Sequence, residues 1–200
     1  VGKWRGERTQ RESVMKVVHV SQSEPRDACL AKLCAEVYGQ QAGLTPLVVF
    51  TGTKNVLFAQ EGARLLAGVD GAGKPLALAL LVLDEAGQGM TVTHACEFAE
   101  GAKARLLSEL SLKAPLRIDV QNEKEKTFYQ QCGFKRWLAA DNGQYIGLSA
   151  HHPAKSLEAL SPTLALDEAL ILRRFKHDAA AFAQAKEAFL TGINNVPATL

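Results

Sequence analysis

Between residues 63 and 98 the chain passes through three apolar stretches joined by glycine turns, and no other feature restricts its fold as tightly. The stretches are "RLLAGVD", "KPLALALLVLDE" and "MTVTHACEF", and the joints are "GAG" and "AGQG". Joints this short connect antiparallel neighbours, because a parallel return needs a crossover of a dozen residues or more. The next segment, "EGAKARLLSELSL", has Ala104, Leu107 and Leu110 at helical spacing, and "LRIDV" (116–120) then reads as another strand. A strand–helix–strand passage appended to an antiparallel meander predicts an α+β fold: a mixed, mostly antiparallel central sheet flanked by helices.

The flanks fill in the order of elements. Residues 1–14 are polar and without periodicity, which predicts a flexible N-terminal arm. "MKVVHV" (15–20) is a candidate strand, and "SEPRDACLAKLCAEVYGQQ" places Leu30, Leu33, Cys34 and Val37 on one helical face, with Gly39 as its stop. Within 44–60, "PLVVF" and "NVLFA" fit either strand or short helix. "QNEKEKTFYQQCGF" (121–134) is helical, and "FKRWLAA" and "QYIGLS" form a hairpin around "DNG". Beyond "SAHHPAK" the texture changes. Residues 161–191 are rich in alanine, leucine and phenylalanine and read as helical, with Ser161 as cap, Pro162 at the first position and Gly192 as the end. Phe175, Phe182 and Phe189 recur every seven residues in one apolar stripe. The expected organisation is an arm at 1–14, a domain at 15–150 and a helical extension at 151–200.

Charge and cysteine usage exclude some functions. A formal net charge of +2 over 200 residues argues against nucleic acid or an anionic membrane as partner. Cysteines 29, 34, 96 and 132 form no Cys-x-x-Cys pair and sit in apolar or helical settings, so buried reduced thiols in a reducing compartment are expected. The start has no apolar h-region, and no apolar run approaches the ~20 residues of a membrane span. A cytoplasmic protein is the expectation. "GVDGAGKP" (68–75) has the spacing of a phosphate loop, but Pro75 stands where a magnesium-binding hydroxyl belongs and a strand follows where a helix should, so it is a hairpin turn. His151 and His152 lack acidic or cysteine partners at ligand spacing, and no metal is expected. "RRFKH" (173–177) reads as a solvated helix face.

Local physics accounts for most of "LRIDVQNEKEKTFYQQCGF". Asn122 caps the helix, Glu125 stands three residues on to bond back to the cap, Phe128 and Cys132 share the buried face, and Gly133 supplies the left-handed residue that ends the helix. Tyr129 is not required by any of this. The run resembles the late strand–helix motif of the GCN5-related N-acetyltransferases (GNAT): Asn122, Phe128, Tyr129, Gly133 and Phe134 fall in register, while Glu125 replaces the usual alanine. The preceding hairpin, strand and helix match the same core, so the resemblance spans roughly residues 15–150.

The resemblance implies an N-acyltransferase using acetyl-CoA or another acyl-CoA, with Tyr129 protonating the departing thiolate and Asn122 near the cofactor. The family's pyrophosphate loop matches "EFAEGAKARLL", where Phe98, Gly101 and Lys103 occupy the three motif positions and only Gly101 conforms. The cofactor contacts implied are Cys96, Phe98, Gly101, Ala102, Lys103, Ala104 and Arg105. Glu97 and His94 are alternative bases for the attacking amine of a small molecule or peptide. Strand alternation places them on opposite faces unless a bulge intervenes. A second class of function is a catalytically inactive GNAT-fold binding or regulatory module, its phenylalanine stripe docking a partner or forming a homodimer through the C-terminal helix.

Overall fold

The computed structural model describes residues 14–200; the arm expected at 1–14 lies almost wholly outside the described residues. Among the described residues seven strands form one sheet, in which, numbered along the chain, the order is first, second, third, fourth, fifth, seventh, sixth. In chain order the elements are β1 (Lys16–His19), α1 (Ser23–Tyr38), α2 (Thr45–Gly52), β2 (Ala63–Val69), β3 (Pro75–Leu83), β4 (Met90–Glu97), α3 (Ala102–Lys113), β5 (Leu116–Val120), α4 (Glu123–Gln131), β6 (Arg136–Ala139), β7 (Tyr145–Leu148), α5 (Glu168–His177) and α6 (Ala179–Asn194). Every strand pair is antiparallel except β4–β5. This is the α+β architecture expected from the sequence, a mostly antiparallel central sheet flanked by helices.

Why β3 reads as an unbroken apolar run is clear from its two faces. Leu78, Leu80 and Val82 pack with Leu30, Leu33, Cys34 and Phe50 beneath α1 and α2. Ala77, Ala79 and Leu81 pack with Leu106, Leu107, Val92 and Ile118 on the side of α3 and α4. A strand covered on both faces has no polar side to alternate. The joint before it is a hairpin: Asp70 Oδ1 accepts from the amides of Ala72 and Lys74, each at 2.9 Å. All four cysteines are free and buried. Burial pushes the thiols of Cys34 and Cys96 up to about 12, so they stay protonated.

The ambiguous 44–60 segment is helical. Its α2 runs into a π-helical turn at Thr53–Leu57, closed by Phe58 N donating to Thr53 O at 2.8 Å. The C-terminal region departs further from expectation. Ser161 and Pro162 do not start a helix; the Ser161 hydroxyl accepts from Ala86 N at 3.0 Å, and Asp84 bridges to Thr163. Helix begins only at Glu168, where Asp167 accepts from Leu170 N. It breaks at Asp178, whose carboxylate caps α6 by accepting from Ala181 N. Gly192 lies inside α6: a Cβ there would stand 2.9 Å from Ala31 Cβ, so it serves close packing on α1. The phenylalanine stripe is used within the chain. Phe189 stacks edge-on against Phe50, Phe175 against Phe182, and the group packs on Leu47 and Val48 of α2. It is therefore not an open docking face for a partner or second copy, because α2 already covers it.

Candidate active site

β4 and β5 run parallel but hold register only at Met90–Leu116 and Thr91–Arg117. Beyond Thr91 β4 pairs only with β3, and beyond Arg117 β5 pairs only with β7. The two strands part toward their carboxyl ends, where open sheets with parallel strands take ligands. α3 starts where β4 stops, α4 starts where β5 stops, and both helix N-termini stand at the mouth of this gap. Lys103 of α3 reaches across to the Phe128 ring of α4, with Nζ 5.0 Å from its centroid.

Backbone bonding sorts the donors along β4. The amide of Phe98 donates to Leu76 O at 2.8 Å, on the β3 side. By strand alternation Cys96 also bonds toward β3, whereas Ala95 and Glu97 turn their amides into the gap. The amides of Cys96 and Phe98 are therefore taken up by the sheet, and those of Ala95 and Glu97 are the ones that face the gap. Sequence periodicity alone fixes which residues alternate, not which of the two sets meets β3.

Glu97 has a second partner. Its Oε2 accepts from Gly101 N at 2.7 Å. Gly101 itself sits at φ 77° as the cap of α3. The amide that opens α3 thus already holds a carboxylate of the same chain, an arrangement favoured at a helix N-terminus. Ala102, Lys103, Ala104 and Arg105 follow in the first helical turn, with Ala102 buried.

A bulge does occur in β4, but at Thr93, before both candidate bases. His94 and Cys96 therefore still share one face, toward α1, and Glu97 does not join them. His94 is half-buried; its Nε2 hydrogen-bonds the Tyr38 hydroxyl at 2.7 Å and its Nδ1 the Thr93 hydroxyl at 2.9 Å. Burial lowers its pKa to about 4, so the imidazole is neutral near pH 7. Tyr38, missed by sequence reasoning, is raised to about 12 by burial, then by Cys34 and by Glu168 of α5. No local motif marks it, since it is simply the last residue of α1 before Gly39.

Tyr129 stands on the opposite side of the sheet, packed edge-on against Phe128 and Phe134. Burial first, then Glu125, push its phenol up to about 12. Asn122 is engaged locally: its side chain accepts from Glu125 N at 2.9 Å. Glu125 returns a bond not to the cap itself but to Gln121 N, also at 2.9 Å. His151 and His152 are tied to main chain, to Leu112 O and Ala154 N respectively. Among the described residues no cluster has the composition of a metal site, and no helix is long and apolar enough to cross a membrane.

No family model matches the chain, and no curated protein matches it. Solved structures do. A Desulfovibrio desulfuricans protein assigned to the GNAT family of acetyltransferases is 17% identical, covering 68% of this chain and 96% of its own, with a TM-score of 0.47. A spermidine N-acetyltransferase chimera from Vibrio cholerae and a human counterpart is 14% identical over 67% of this chain and 92% of its own, with a TM-score of 0.45. Spermidine N-acetyltransferase from Vibrio cholerae, solved with CoA and spermine, is 12% identical over 70% and 98%, with a TM-score of 0.43.

Proposed function

We propose that this chain is an N-acyltransferase that moves an acetyl or other acyl group from acyl-CoA to an amine by direct attack. The observation that carries this reading is the gap between β4 and β5, with amides of β4 on one wall and the helix of Tyr129 on the other. A thioester lying in that gap would have its carbonyl oxygen met by the amides of Ala95 and Glu97. The amine nitrogen forms a bond to the carbonyl carbon, the carbon–sulfur bond breaks, and the thiolate takes the Tyr129 proton. His94, neutral and held by Tyr38, is suited to receive the amine's proton from the α1 side, directly or through water. Its low pKa makes it a weak base, appropriate to a relay rather than a full abstraction. The pyrophosphate would rest on the first turn of α3, at Ala102, Lys103, Ala104 and Arg105.

Glu97 must leave Gly101 N for this to happen, because its carboxylate would repel phosphate. The test is calorimetric titration of wild type and Glu97→Gln with acetyl-CoA and with coenzyme A at moderate salt. Saturable one-site binding is expected, tighter in Glu97→Gln by about two- to fivefold, the effect of one charge at a helix terminus. Absence of binding in both proteins, with longer acyl-CoAs included, would overturn the reading and leave a GNAT-fold binding module.

A further inference from the structure

Away from the gap, on the outer side of α2, the chain encloses an open hollow of about 360 Å³ between the π-helical turn, α5 and α6. Its floor is apolar: Phe50, Ile171, Phe175 and Ala185. Its rim carries two cations, Lys54 and Arg174, and among the described residues neither joins an ion pair. Arg174 lies in the last turn of α5 and Lys54 in the last turn of the helix that carries α2 on to Leu57, places where the helix dipole favours a cation, and Lys54 Nζ stands 5.8 Å from the Phe50 ring centroid on the floor of the hollow. Two further features mark the same place. Thr51, which lines the hollow, and Thr53 beside it have buried hydroxyls with no hydrogen-bond partner. Helical threonines ordinarily bond back to a carbonyl one turn earlier, and an orphaned buried hydroxyl is costly. They sit at a π-helical turn, a distortion that recurs at functional sites.

The neighbouring surface limits the ligand's charge. A second hollow shares Lys54, Gln184 and Ala188 with the first and is lined by Glu24, Asp27 and Glu187. A polyanion extending past Lys54 would meet those carboxylates, whereas a compact monoanion would not.

We propose that this hollow binds a small amphipathic monocarboxylate, an aliphatic or aromatic acid whose apolar body lies on Phe50, Ile171 and Phe175 and whose carboxylate is met by Lys54 and Arg174. Such a ligand ties α2 to α5 and α6. This inference does not depend on acyl transfer, since the hollow lies outside the β4–β5 gap.

Octanoate is the probe, titrated calorimetrically into the full chain at low salt, with octan-1-ol and octylammonium as comparators. Saturable one-site binding of octanoate is expected, millimolar or tighter for a ligand this small, together with a rise in Tm. The double variant Lys54→Gln/Arg174→Gln changes only rim residues and should lower its unliganded Tm by no more than a few degrees, the loss of two cations from helix C-termini, while weakening octanoate at least tenfold. Ala185→Phe, which fills the floor, should weaken it without altering charge. The proposal is overturned if octanoate does not bind, if octan-1-ol or octylammonium binds as tightly, or if the double variant binds octanoate like wild type.

Discussion

Tyr129 and His94 occupy opposite faces of one sheet, and burial moves their proton affinities in opposite directions. With its phenol raised to about 12, Tyr129 keeps its proton across the whole working range. Tyr129→Phe removes that proton and little of the ring's packing. Its kcat should fall about 100-fold, the bottom of the range for general acid catalysis, because a thiolate already leaves well. The Kd for coenzyme A should stay within a few-fold. Unchanged turnover with the best acceptor would take Tyr129 out of the chemistry. For His94 the sign of the linkage is set by a folded pKa near 4 against 6.5 in the unfolded chain. Between those values the unfolded chain binds a proton that the folded one does not. Stability is therefore intact above pH 6.5 and falls as pH drops toward 4. Thermal melts at pH 7, 6, 5 and 4.5 should show that fall, and His94→Gln should flatten it. Parallel profiles for the two proteins would show that His94 is not the group responsible.

At the level of elements, α4 shows how far local chemistry can be read in advance. Its cap, its buried Cys132 and its terminal Gly133 all follow from side-chain type and spacing. Gly133 does two jobs, only one of which is local. It adopts φ 95°, and a Cβ there would overlap the Ser111 hydroxyl, which donates to Cys132 O at 2.7 Å and locks α3 to α4. Gly133→Ala should therefore cost more than the ~1 kcal/mol typical of an incompatible backbone, as urea unfolding would measure. A smaller loss would mean that Ser111 rotates away without penalty. The site was less legible than the helix beside it. Glu97 meeting Gly101 N, Tyr38 meeting His94, and the choice of which β4 amides face the gap are all set by tertiary pairing. Periodicity names the alternating sets but not the neighbour each set meets. The α2 segment failed for a related reason: a short, uniformly apolar run has no polar face from which to read a period.

For the whole molecule, the question is whether residues 151–200 are an appendage or part of the core. The sequence reads as an appendage, because composition shifts after the paired histidines and 161–191 has the pattern of a continuous helix with its own stripe. The packing indicates otherwise. Leu164 and Leu166 lie against the cluster beneath α1, Phe189 and Ile193 join them, and Leu200 N donates to Gly73 O at 2.8 Å, returning the chain end to the β2–β3 turn. Gly52 and Gly62 are the receiving points: a Cβ at Gly52 would meet Ile171 and Leu166 at 2.8 Å, and one at Gly62 would meet Leu164 at the same distance. Close approach of this kind leaves complementary apolar surfaces on both sides. Truncation after Leu160 would uncover Leu47, Val48 and Phe50 together, a contiguous apolar patch of the sort that soluble monomers rarely expose. The truncated chain should lose cooperative thermal unfolding and self-associate at micromolar concentration in size-exclusion chromatography. A truncated monomer that melts cooperatively near the full chain's Tm would instead make the extension a separable unit. Within the intact chain, Phe189→Ala gives the graded version: loss of a half-exposed ring stacked on Phe50 should cost about 2–3 kcal/mol, below the range for a fully buried phenylalanine.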